Sequence, residues 1–154
     1  MMETLEQILG AHPFFAGLDA SFVALACGCA QEVGFSAGEF ICHEDDAADH
    51  FYLVREGHVA LQISAPGRGV ATFLTVGPGE VFGVNWLAPP YRWSYDARAV
   101  EPTRALALNA TCLRAKCENE PALGYALTKR VLPVLIQRLH TCRMQFLNLY
   151  GAPG

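Results

Sequence analysis

Apolar positions fall at helical separations over the first part of the chain: Leu5, Ile8 and Leu9, then Phe14, Phe15, Leu18, Phe22, Val23, Leu25 and Ala26, with His12-Pro13 between the groups. Proline lacks a backbone donor and disfavours helix in the residue before it, so this pattern predicts two short helices, the second starting near Asp19 or Ser21. From Val33 the period changes. Short apolar or alternating runs separated by glycine, at residues 39–42, 51–54 and 59–63, predict strands. Pro66-Gly67-Arg68-Gly69 suits a tight turn, and residues 70–76 read as the returning strand of a hairpin. A second turn, Gly77-Pro78-Gly79, follows at once, and strand character resumes at residues 93–100 and 104–108 on either side of Glu101-Pro102. Short strands so closely spaced imply a sandwich, jelly roll or barrel.

The last third returns to a helical period. Cys112, Leu113 and Cys117 suit a short helix after Asn109, and Pro121 is placed to open a longer one. Leu123, Leu127, Val131, Leu135, Leu139, Cys142, Phe146 and Leu149 then recur three or four residues apart, which predicts an amphipathic helix ending near Gly151. Pro133 should kink it. The stripe has two readings, an intramolecular core face or a seam between two copies of the chain.

At 154 residues the chain fits one domain, divided into N-terminal helices (1–32), a β-roll (33–108) and C-terminal helices (109–151), with no DNA-binding domain. Its 52% hydrophobic and 17% charged content suits a packed core. A net charge of -4 with no long basic run supplies no electrostatic footprint for nucleic acid, so no direct nucleic-acid partner is expected. No segment has the length of a bilayer span and the N-terminus lacks signal-peptide character, so the expectation is a cytoplasmic protein with no membrane contact.

The six cysteines fit no zinc spacing and are expected as buried, reduced thiols; Cys27 and Cys29 are too few for an iron–sulfur cluster. The five histidines form no metal motif, and no serine has a nucleophile's setting, so no catalytic or metal-binding residue is expected and the chain does not read as an enzyme. A small β-roll enzyme is the outlying alternative.

Two segments carry a family resemblance. Ala48-Asp49-His50-Phe51-Tyr52-Leu53-Val54-Arg55-Glu56-Gly57 and Gly79-Glu80-Val81-Phe82-Gly83 resemble the cyclic-nucleotide-binding domain family, the sensor half of catabolite-activator-type (Crp/Fnr-like) regulators. The resemblance covers nearly the whole chain. It implies a mainly β fold with flanking helices, a double-stranded β-helix or jelly roll of the cyclic-nucleotide-binding type, closed by a long C-terminal helix through which the family commonly dimerises. It also implies a cassette in which a short helix after the Phe-Gly pair directs backbone N–H groups at a cyclic phosphate, while a glutamate takes the ribose hydroxyl and an arginine the phosphate.

This chain departs from that pattern at two places. Val84 occupies the glutamate position and cannot accept a hydroxyl hydrogen bond. Arg92 and Trp93 both align with the arginine, and strand phase separates them: with Trp93 inward, Tyr95, Ala97 and Ala99 share its face, whereas the opposite register would bury Asp96 and Arg98. Trp93 is therefore expected in the pocket position, with Arg92 reaching inward only if Pro89-Pro90 redirects the loop.

The candidate ligand-binding residues are Phe82, Gly83, Val84, Asn85, Trp86, Arg92, Trp93 and Ser94, with Thr141 and Arg143 as a helical lid. Phe82 and Gly83 read equally as a turn with a core anchor, and Trp86 and Trp93 as fillers of an emptied pocket. The ligand class is a cyclic nucleotide or another small anion. The functional expectation is a regulatory sensing or interaction module that signals through its C-terminal helix, as a homodimer and with a protein partner; the alternative is a transcription-regulator descendant or fragment lacking its helix-turn-helix domain.

Overall fold

The computed structural model describes residues 3–150. Each helix start is set by a side chain suited to it. Thr4 and Gln7 form a reciprocal capping box at α1 (Leu5–Ala11), and the Asp19 carboxylate accepts the Ser21 N–H at the start of α2 (Ala20–Cys27). Asn109 caps α3 (Ala110–Asn119) through the Cys112 N–H, and Pro121 opens α4 (Pro121–Tyr150). α4 is assigned as one helix through Pro133. Its expected end near Gly151 lies outside the described residues.

Between α2 and α3 lie the strands β1 (Ala30–Phe35), β2 (Phe40–Cys42), β3 (His50–Glu56), β4 (Val59–Ala65), β5 (Gly69–Val76), β6 (Val81–Phe82), β7 (Asp96–Ala99) and β8 (Thr103–Asn109). They form two four-stranded antiparallel sheets, ordered β1-β8-β3-β6 and β2-β7-β4-β5. The result is the jelly roll with flanking helices and a long C-terminal helix that the family resemblance implies, one of the three architectures that the strand spacing left open. One turn depends on glycine: Gly57 has φ 89°, and a Cβ there would lie 2.4 Å from the Thr103 hydroxyl oxygen.

Within the first sheet, β3 and β8 are buried on both faces. Phe51, Leu53, Leu106 and Leu108 point toward the helices, where they meet Leu9, Phe14, Phe15, Trp86, Leu113, Leu123 and Leu127. The alternate residues Tyr52, Val54 and Ala107 point into the roll, against Val59, Leu61, Val76, Phe82, Trp93 and Ala97 of the surrounding strands and loops. Two cores thus share one sheet, which is why residues 51–54 form an unbroken apolar run instead of alternating.

Two expectations are corrected. Residues 93–100 were expected to be one strand, but β7 covers only Asp96–Ala99. Trp93 instead exchanges backbone hydrogen bonds with a loop, its N–H donating to Asp46 O (2.9 Å) and its carbonyl accepting from Asp45 N–H (2.8 Å). The second correction concerns the cysteines. Cys29 and Cys112, 83 positions apart, form a disulfide between the segment leading into β1 and the first turn of α3. Cys27, Cys42, Cys117 and Cys142 are free thiols, and burial pushes the Cys42 thiol up to about 12.

Candidate functional site

The cassette begins where β6 ends. Gly83 has φ 90°, and the chain then makes a single 3-10 turn, Val84–Leu87. The Gly83 N–H donates to the Tyr95 hydroxyl at 3.0 Å. Burial pushes the Tyr95 phenol up to about 12, so it stays a neutral hydroxyl at ordinary pH. A Cβ on Gly83 would lie only 2.7 Å from Trp93 Cη2, so the indole edge rests on the glycine backbone.

Trp93 is 4% exposed and lies inside the roll. Its ring is 6.1 Å from Tyr52 in a stacked arrangement, 5.8 Å from Tyr95 edge to face, and 6.2 Å from Phe82. Phe82 in turn stacks on Tyr52 at 4.9 Å. Aromatic clusters of this kind gain from ring geometry as well as from burial. The inward phase predicted from Tyr95, Ala97 and Ala99 is the one observed, with Arg92, Ser94 and Arg98 exposed.

The other candidate residues scatter. Arg92 stays outside the roll, donating to the Asp45 carbonyl at 2.8 Å, beyond the cis Pro89-Pro90 bond. Asn85 donates to the Ser94 hydroxyl at 3.2 Å, which links the 3-10 turn to the loop after it. Val84 is half-buried and packs against the helical core, and Trp86 is buried within that core, not in the roll. The Trp86 indole N–H has no hydrogen-bond partner among the described residues. Thr141 is half-buried and bonded to the Gln137 carbonyl of its own helix, and Arg143 is exposed.

Sequence reasoning passed over Arg138. Its guanidinium donates to the Val81 carbonyl, which ties α4 to the strand leading into the cassette, and burial pulls its pKa below the ordinary arginine value. The signal was available, because Arg138 follows Val131 by seven residues and so lies on the buried side of the helix. Arg114 also supports the cassette, donating to the Trp86 carbonyl at 2.9 Å while its guanidinium lies 4.0 Å from the centre of the Tyr91 ring.

α4 carries two apolar stripes. Leu123, Leu127 and Val131 are buried against the helical core. Tyr125, Leu132, Leu139 and Phe146 follow at strict seven-residue intervals, with Thr128, Leu135, Cys142 and Leu149 each three residues later, and all eight are exposed. This second set is a heptad pattern.

An eight-stranded antiparallel roll, a glycine-led 3-10 turn over one end and a long terminal helix define the class of small β-roll regulatory domains. The chain belongs to the cyclic nucleotide-binding domain family, whose model matches residues 32–120. It is 26% identical over 135 residues to a CRP-like cAMP-activated global transcriptional regulator of Mycobacterium tuberculosis, a match covering 88% of this chain and 58% of that protein. It is 36% identical over 96 residues to the cyclic AMP receptor protein of Thermus thermophilus, covering 62% of this chain and 44% of the relative. Among solved structures, the chain matches a Geobacter metallireducens protein provisionally assigned to cyclic-nucleotide binding with a TM-score of 0.79 at 34% identity, covering 90% of this chain and all of that one. The Thermus thermophilus catabolite activator protein matches with a TM-score of 0.70 at 30% identity, covering 90% of this chain and 63% of that chain.

Proposed function

We propose that this chain is a regulatory module that uses the cyclic-nucleotide-binding fold without holding a cyclic nucleotide in its cassette, and that it acts as a homodimer through α4. The observation that carries the first part is Trp93. Its indole occupies the space against Gly83 where a phosphate would meet the backbone, and the Gly83 N–H is already bonded to Tyr95. No guanidinium faces that backbone from the arginine position, and Val84 offers no acceptor for a ribose hydroxyl. A ligand there would have to displace a buried tryptophan packed against three aromatic rings. In calorimetry, cyclic AMP and cyclic GMP should give weak or no heats; micromolar or tighter binding of either would overturn the proposal.

The dimer rests on the exposed heptad. A second copy of the chain is the partner whose pattern matches by construction, since in a parallel in-register pair each apolar position meets its own counterpart. Cys142 sits at one such position, so mild oxidation should cross-link two chains and Cys142→Ser should abolish the cross-link on a non-reducing gel. Failure of Cys142 to cross-link a protein that sediments as a dimer would exclude the in-register seam.

Signalling then runs through α4, which is held to the strand before the cassette by Arg138 and continues into the seam. The expected setting is the cytoplasm, with a protein partner reading the helix. No described helix is long and apolar enough to cross a membrane.

A further inference from the structure

A chamber of about 930 Å³ opens between α4, the start of β6 and the turn that joins α1 to α2. Its size falls within the range of small-molecule sites, roughly 300–1,000 Å³. Pro13, Phe14 and Leu18 form one wall, Leu74 and Val81 another, and Pro133 lies on the helix side. Neither the 3-10 turn of the cassette nor Trp93 contributes to the lining. The residues of the heptad seam do not line it either, so dimerisation through α4 leaves the chamber in place.

The charged groups in this apolar setting are unbalanced. Lys129, Arg130 and Arg138 line the chamber against one carboxylate, Glu80, which is occupied in accepting the Gly77 N–H at 2.9 Å. Arg130 is committed to the Phe14 and Ala16 carbonyls, at 2.8 and 2.9 Å. Arg138 has one carbonyl partner, Val81, and forms no ion pair among the described residues. Glu80 acts on Arg138 electrostatically without pairing with it, so the largely buried guanidinium is only partly compensated, and a carboxylate that takes two of its N–H groups would relieve that cost. The apolar walls exclude a ligand that is mostly charge, such as a polyphosphate.

We propose that this chamber binds an amphiphilic monocarboxylate, its apolar body against Phe14, Leu18 and Pro133 and its carboxylate on Arg138. The chamber shares Gly79, Glu80, Val81 and the lid residue Thr141 with the candidate site but not Gly83, the 3-10 turn or Trp93, so the inference goes beyond the reading above and does not rest on it. Because the walls come from α4 and from the roll, an occupant bridges the two and biases how the helix is held.

The test is calorimetry on the whole chain with decanoate as the probe and decanol as its uncharged counterpart. Decanoate should bind one per chain, and about ten-fold or more tighter than decanol, the factor expected of a charge-assisted hydrogen bond. Arg138→Met should reduce decanoate to the level of decanol, and Ala126→Trp, which fills the chamber from the helix side, should remove both. If Arg138→Met does not fold, the decanoate-to-decanol ratio on the unaltered chain and the Ala126→Trp result decide. Absence of saturable decanoate binding, equal affinity for the two probes, or binding that survives Ala126→Trp would each overturn the proposal. Repeating the cyclic-nucleotide titrations on Ala126→Trp separates the two readings, since binding at the cassette would survive that substitution and binding in the chamber would not.

Discussion

The two halves of α4 have similar composition and opposite surroundings. In the first half, Leu123, Leu127 and Val131 are buried beneath the helical core, and Arg130 clasps the turn before α2 through two carbonyls. In the second half, Leu139 is 51% and Leu149 74% exposed. Burial distinguishes them, since the core stripe of Leu123, Leu127 and Val131 stops near the middle of the helix, whereas the exposed heptad positions run on through Leu139 and Leu149. The first half is covered by this chain, whereas the second touches it through Arg138 on Val81 O and Gln145 on Phe73 O and exposes the stripe on which the proposed dimer rests.

That contrast can be broken by substitution. The largest effect is expected from Leu127→Ala, which empties a fully buried site and should cost about 2–5 kcal/mol of stability by denaturant titration. A loss under about 1 kcal/mol would mean that the first half is not anchored as described. Leu139→Glu is the mirror test. It should raise the dimer dissociation constant about 100-fold, or ~2.7 kcal/mol, while leaving the monomer's melting temperature nearly unchanged. An equal dissociation constant by sedimentation would place the seam elsewhere.

The smallest expected effect is a pH dependence confined to the first half. His12, in the turn against it, is buried with its Nε2 donating to Val54 O at 2.9 Å and its Nδ1 accepting from Phe14 N–H at 3.1 Å, so only the neutral ring satisfies both. Burial lowers its pKa from 6.5, and the nearby Arg55 charge adds to that. Because the unfolded chain takes up the proton first, the His12 contribution is fully present above pH 6.5 and declines as pH falls below it. His12→Gln should flatten the melting temperature over that window without altering dimer affinity.

The sequence disclosed whatever depended on local chemistry. Asp19, Asn109 and Pro121 marked helix starts because capping acts within a turn, and Trp93 was placed inward because strand phase is a property of neighbours. It hid what depended on elements meeting across the fold. The short extent of β7 follows from a loop at Asp45 and Asp46 that captures the Trp93 backbone, and the Cys29–Cys112 pair follows from the packing of α2, β1 and α3. The stripe on α4 was visible, but as one line: core and heptad positions lie within a residue of each other, and only burial separates them. Arg138 was missed because a cation inside an apolar period reads as an interruption until its carbonyl partner is known.

The Cys29–Cys112 bond encloses every strand, since β1 begins at Ala30 and β8 ends at Asn109. In the oxidised protein the roll is therefore a covalent ring from which α1 and α2 enter at one junction and α4 leaves by way of α3. A protease that cuts once in the exposed Pro66–Arg68 turn would open this ring without releasing a fragment, and the nicked halves would part on a gel only after reduction.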